Sequence, residues 1–242
     1  GAVVGVQPFG GEGLSGTGPK AGGPLYLLRL LSQRPADALA RTFADADRAT
    51  PPEDAVRERL LAPLATLQQW AQLQGNAALA STCQRFARQT QSGTARTLHG
   101  PTGERNVYTL APRARVLCLA QSVDDLLTQT AAVLATGGTA LWPNAQASLR
   151  AQLPTLVQAQ VMLQDNTLND GTLELDAVLH HGDTPSLQAV CTALTRRAGP
   201  IVGVTALQPG ATDIPLERLM IERALSVNTA AAGGNASLMT IG

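Results

Sequence analysis

The chain has 242 residues, of which 44% are hydrophobic and 3% aromatic, with 18 basic and 18 acidic side chains and zero formal net charge. This balance excludes a basic nucleic-acid footprint and an acidic tail, and it leaves one large or two small domains cored by Leu, Val and Ala. The apolar runs, such as Leu25–Leu31 and Val116–Ala120, fall far short of a membrane span, and no signal peptide is expected. Cys83, Cys118 and Cys191 are far apart, odd in number and form no CxxC, so a disulfide framework is not expected and a reducing cytoplasm is the natural setting. Each lies on an apolar face, where a free thiol packs as a small hydrophobe.

Taken in order, the chain opens on Gly1–Pro24, where nine residues are glycine. Val3, Val4, Val6, Phe9 and Leu14 are too apolar for a flexible linker, so the stretch reads as a constrained binding loop. The chain begins in mid-pattern without Met, as expected for a C-terminal piece of a longer protein. Pro24–Leu31 predicts a short buried helix, and Pro35 opens an amphipathic one through Leu39 and Phe43. Thr50-Pro51-Pro52-Glu53 has the form of a capping box before a stripe of Val56, Leu60, Leu64, Leu67 and Ala71, which Pro63 should kink or divide. Asn76 starts a further helix with Leu79, Cys83, Phe86 and Thr90 on one face. Residues 32–95 thus form a helical connector without a catalytic cluster.

Beyond residue 96 short apolar runs alternate with helical patterns. Strands are predicted at Val116–Ala120, Thr139–Trp142, Gln160–Leu163, Asp176–His181 and Pro200–Leu207. Helices are predicted from Ser122 to Thr136, near residues 144–152 and over Pro185–Arg197, with a last one at Arg218–Arg223. This alternation specifies βαβ units: a three-layer α/β domain with a mainly parallel sheet.

Two motifs suggest chemistry that their surroundings do not support. Gly11-Glu12-Gly13-Leu14-Ser15-Gly16 spells GxGxxG, but Pro19, Gly22, Gly23 and Pro24 follow too soon for the helix a dinucleotide fingerprint requires. His180 and His181 are neighbours on a strand, so they face opposite ways and do not share one metal. Gly100–Asn106 reads as a surface turn with a Glu104–Arg105 pair, or as a docking loop. Asn235-Ala236-Ser237 fits a glycosylation sequon that an intracellular chain would not use.

Pro8-Phe9-Gly10-Gly11 followed by Ser15-Gly16 resembles the substrate-anchoring region of the aldehyde dehydrogenase superfamily. The extension through Gly18-Pro19-Lys20-Ala21-Gly22-Gly23-Pro24 looks like the glutamate-semialdehyde dehydrogenases. The tail Ser226–Gly242, with Gly100–Asn106, resembles the C-terminus of the bifunctional proline utilization A flavoenzymes. The resemblance covers the whole chain and is weakest across the helical connector.

It implies an enzyme in which an FAD-dependent proline dehydrogenase and an NAD-dependent semialdehyde dehydrogenase convert proline to glutamate. The catalytic Cys, the general-base Glu and both cofactor pockets would precede Gly1, so no catalytic, cofactor or metal residue is expected here and the isolated chain should be inactive. Gly1 and Ala2 would hold the carboxylate of glutamate semialdehyde through backbone N–H groups, and Phe9 would pack its aliphatic chain. Residues 1–31 would end an aldehyde dehydrogenase domain. Residues 96–225 would be a non-catalytic domain of that fold, covering the active site and a channel. Residues 226–242 would be an interface tail, anchored by Val227, Leu238, Met239 and Ile241. The implied partners are the upstream domains and a second copy of the chain. The alternative is a docking or oligomerisation module with no direct part in catalysis.

Overall fold

The computed structural model describes residues 2–16, 18–31, 34–35, 37–44, 49–50, 54–165, 168 and 173–228. Among them the strands are β1 (Ala49–Thr50), β2 (Ala95–Leu98), β3 (Glu104–Pro112), β4 (Arg115–Leu119), β5 (Thr139–Pro143), β6 (Val161–Gln164), β7 (Ala177–His181), β8 (Gly203–Leu207) and β9 (Met220–Asn228). The α-helices are α1 (Ala38–Ala44), α2 (Asp54–Leu73), α3 (Ala77–Gln89), α4 (Val123–Thr136), α5 (Ala147–Gln152), α6 (Thr155–Gln158) and α7 (Thr184–Thr195).

The expected α/β domain is present. Its strands lie in the order β6-β5-β4-β7-β8, and every pairing is parallel. Side chains alternate across this sheet as the pleat requires. Val116, Cys118, Ala140, Trp142, Ala177 and Leu179 join the larger core, while Leu117, Leu141 and Val178 pack with Leu175 and Val190. Helix α4 covers the first face and α7 the second, which makes three layers. With β4 central and the chain reversing direction between β4 and β7, the order is Rossmann-like, and its switch point lies at the C-terminal ends of those two strands.

Helix α4 starts where the Ser122 hydroxyl accepts the Asp125 N–H at 3.1 Å. It ends at Gly137, whose N–H reaches the Leu134 and Val133 carbonyls. Its residues Asp125–Thr136 are all buried, because α2 and α3 pack on the side away from the sheet. Several of the polar side chains inside it are paired within the fold. The Thr130 hydroxyl donates to the Leu126 carbonyl and accepts from the Trp142 indole N–H at 3.0 Å.

A second sheet, in the order β1-β2-β3-β9, is antiparallel. β3 and β9 pair over nine residues, from Glu104 opposite Asn228 to Pro112 opposite Met220. This overturns the helix predicted at Arg218–Arg223: a 3-10 turn at Leu216–Leu219 leads straight into β9. A short apolar run does not choose between helix and strand by itself, and here the long partner β3 decides. The boundary expected at residue 95 falls inside β2. Of the expected tail, Ser226–Asn228 complete β9, and residues 229–242, with the proposed anchors Leu238, Met239 and Ile241, lie outside the described residues.

Further expectations need correction. Helix α2 runs unbroken through Pro63, although the proline removes one intrahelical hydrogen bond. The stripe it buries is Leu64, Leu67 and Ala71, while Val56 is exposed. Of the predicted capping box, Thr50 belongs to β1 and Pro51, Pro52 and Glu53 lie outside the described residues. Pro24–Leu31 is not a buried helix: Leu25 is buried just before a 3-10 turn at Tyr26–Leu30 that has no buried residue, and Leu27 and Leu30 are 69% and 67% exposed. Cys191 is exposed on α7, unlike Cys83 and Cys118.

Candidate functional site

The glycine-rich stretch is a backbone-paired loop. Val3 N–H donates to the Gln7 carbonyl at 3.0 Å, and Phe9 and Ala21 exchange N–H···O bonds of 3.0 and 2.9 Å. Gly5 N–H reaches the Gly22 carbonyl at 3.2 Å, and the Lys20 ammonium donates to the Gly10 carbonyl at 2.9 Å. The backbone is thus held while its apolar side chains point outward: Phe9 is 65% exposed, and Val4 and Leu14 are exposed too. Ala2 is exposed, and Gly1 lies outside the described residues.

The GxGxxG motif serves the loop itself. Gly13–Ser15 form a 3-10 turn closed by Ser15 N–H to Glu12 and Gly16 N–H to Gly13. A side chain on Gly11 would place its Cβ 2.6 Å from the Ser15 carbonyl oxygen, so the glycine is required by this turn.

The loop is tied to the antiparallel sheet by two acids. Glu104 accepts from the Gln7 side-chain amide, so this acid of the Gly100–Asn106 stretch contacts the loop. Glu222, buried on β9, accepts the Lys20 N–H at 2.6 Å and the Tyr108 hydroxyl at 2.7 Å. Burial pushes the Glu222 carboxyl up, and the donors from Tyr108 and the Lys20 backbone offset only part of that rise. Burial and the adjacent carboxylate also push the Tyr108 phenol up, so it stays a hydroxyl donor.

The other place where a ligand would be sought is the switch point of the parallel sheet. Open α/β sheets bind nucleotides outside the strand ends there. In this chain residues 208–215, which follow β8, cross the crevice as a strap. Asp125 of α4 accepts the Gly210 N–H at 2.9 Å. His181 at the end of β7 binds the Ala211 carbonyl through Nε2 at 2.9 Å. The Gln129 amide nitrogen lies 2.9 Å from His181 Nδ1 and also donates to the Leu119 carbonyl at 2.8 Å. An amide nitrogen only donates, so the network assigns the Nε2–H tautomer to His181. The crevice is therefore filled by the chain. The turn Ala120-Gln121-Ser122 has no glycine, and Asp124 and Asp125 place acids where a pyrophosphate would sit. These residues do not fit a dinucleotide.

The two histidines face opposite ways, as expected. His181 meets α4 and the strap, while His180 lies against Gly182 and Ser186 at the start of α7. Among the described residues no group of three His, Cys, Asp or Glu side chains is placed to hold a metal ion. Burial pushes the Cys83 thiol up to about 12 and the Cys118 thiol higher still, which suits packing rather than attack. Among the described residues no helix is long and apolar enough to cross a membrane.

The sequence singles out Glu104 within the Gly100–Asn106 turn or docking loop, whereas its reading missed Glu222, Tyr108 and the strap. Only a lone acid in an apolar run, Glu222 after Leu219-Met220-Ile221, signalled any of them.

No family model matches the chain. It is 56% identical over 245 residues to the bifunctional protein PutA of Salmonella typhimurium, covering 100% of this chain and 18% of that protein. The corresponding figures are 53% over 244 residues for bifunctional protein PutA of Escherichia coli, covering 100% and 18%, and 39% over 250 residues for that of Rhizobium meliloti, covering 100% and 19%. The chain therefore spans less than a fifth of the length of these curated relatives. Among solved structures, proline utilization A from Corynebacterium freiburgense is 18% identical over 95% of this chain and 20% of its own, with a TM-score of 0.46. Staphylococcus aureus AldH is 14% identical over 72% of this chain and 44% of its own, with a TM-score of 0.47. The fold assignment rests on strand order rather than on these low scores. With 39% to 56% identity along its whole length, the chain corresponds to a C-terminal part of the bifunctional PutA proteins.

Proposed function

We propose that this chain contributes a substrate-anchoring loop and a covering domain to a bifunctional enzyme that oxidises proline to glutamate. In that enzyme FAD serves the first oxidation and NAD the oxidation of glutamate semialdehyde, both bound outside this segment. The nucleophilic Cys and the general-base Glu also lie outside it. Backbone N–H groups at Gly1 and Ala2 hold the carboxylate of the semialdehyde, and Phe9 packs on its aliphatic chain. The α/β domain covers the active site without binding nucleotide, and the tail from Ser226 serves as an interface segment. The setting is the cytoplasm.

One observation carries the reading: Phe9 is exposed although its backbone is paired on both sides with Ala21. An aromatic side chain carried on a held backbone and left uncovered is available to meet a ligand or a partner surface. The filled crevice supports the non-nucleotide role of the α/β domain. In the whole protein, Phe9→Ala should raise KM for the semialdehyde about tenfold, near the worth of one aromatic contact, and leave proline oxidation unchanged. An unchanged KM refutes the anchor role.

A second reading, a docking module, draws on the exposed apolar residues Leu27, Leu30, Leu225 and Val227. It predicts that Leu225→Asp changes the mass measured by light scattering, with KM unaltered.

A further inference from the structure

We propose that Glu222 is a positioning residue for the anchor loop. The inference rests on the anchor reading and names what sets the loop's geometry. Glu222 is only 5% exposed. One carboxylate oxygen accepts the Lys20 backbone N–H at 2.6 Å and the other accepts the Tyr108 hydroxyl at 2.7 Å. Tyr108 is itself fully buried on β3, stacked on Phe43 with ring centroids 6.4 Å apart. The carboxylate is therefore fixed from the sheet side, and it fixes the loop in turn.

The path from Glu222 to Phe9 is short and made of backbone. Lys20 precedes Ala21, and Ala21 exchanges two hydrogen bonds with Phe9. The Lys20 ammonium closes the same ring by donating to Gly10. Gly23 is where the chain turns against the acid: a Cβ there would lie 2.8 Å from Glu222 Oε1 and 3.0 Å from the Lys20 carbonyl oxygen. The glycine thus lets the loop backbone come within reach of the carboxylate. Both Glu222 oxygens accept, so one side chain orders an N–H and an O–H group at once. One acid 202 residues along the chain from Lys20 thereby aligns the loop with the sheet. Displacement of a substrate-holding group by about 1 Å is enough to cost a large factor in rate or binding.

The test uses the whole protein with Glu222→Ala, Glu222→Gln and Tyr108→Phe, beside Phe9→Ala. Glu222→Ala should raise KM for the semialdehyde about tenfold while kcat changes less than about threefold, the split expected when binding geometry alone is lost. Exchange of the Lys20 and Ala21 amides should accelerate together, and proline oxidation should be unchanged. Glu222→Gln should restore KM to within about threefold, because its oxygen still accepts from Lys20 and its amide donates to the Tyr108 oxygen. Tyr108→Phe keeps the ring packing and removes one donor, so it should give an intermediate KM even if Glu222→Ala folds poorly.

Unchanged amide exchange at Lys20 and Ala21 in Glu222→Ala overturns the clamp. So does a lowered Tm with KM unaltered in a protein where Phe9→Ala does raise KM. Faster exchange with KM unaltered in both Glu222→Ala and Phe9→Ala refutes the anchor reading and the positioning role resting on it, leaving Glu222 a structural tie.

Discussion

Replacing His181 with Leu tests the strap directly. The substitution removes the bonds from His181 to Gln129 and to Ala211 while keeping a buried side chain of comparable bulk. Gln129 still donates to the Leu119 carbonyl, so its amide is not stranded. The loss there is one neutral hydrogen bond, about 1 kcal/mol. The Ala211 carbonyl loses its partner inside the fold, at about 1–3 kcal/mol unless it swings out to water. The sum is about 2–4 kcal/mol against the closed strap. Local opening becomes more frequent by the same free energy, so protection of the Gly210 amide should fall about 30- to 1,000-fold. Hydrogen exchange of the whole protein, read over residues 208–214, measures this. The Asp125 carboxylate remains, so Gly210 keeps its acceptor while its neighbour loses the tie to β7. Gly210 protection within threefold of the unmodified protein would refute the strap as a closure held by His181.

Two smaller effects follow from named contacts. Ser122→Ala removes the side-chain cap of α4 and should cost about 1 kcal/mol, a Tm decrease of about 2–4 °C in a chain of this size. Burial pulls the His180 imidazole below its usual value of 6.5. A group depressed in the fold binds more protons when unfolded, so its contribution is present above pH 6.5 and is lost as pH falls through the lower folded value. Chemical denaturation at pH 7.5 and pH 5 should show this loss, and His180→Asn should flatten it. An equal pH slope in the variant would exclude His180 as its source.

Much of the molecule is legible in the sequence, because local signals and tertiary structure agree there. The run Val116–Leu119, the Ser122 cap and the Gly137 stop define a strand and a helix without further information. Asn76 likewise caps α3 through the Leu79 N–H, and its face of Leu79, Cys83 and Phe86 is the one buried. Repetition of such units specifies a parallel sheet, since a strand-helix-strand connection closes in only one hand.

The tertiary structure decided what depends on distant partners. Residues 218–223 carry too little periodicity to choose a state, and β3 makes β9 a strand. Leu27 and Leu30 look like core in sequence, but both are exposed, and no layer among the described residues covers them. Glu222 and Lys20 are 202 positions apart, and nothing local marks them as a pair. Sequence alone determined the βαβ domain, because hydrophobic period, caps and turn residues act over a few positions. The fold alone decided how that loop is held and what fills the crevice, because a buried acid or histidine gains meaning only from the donors and acceptors that folding brings to it.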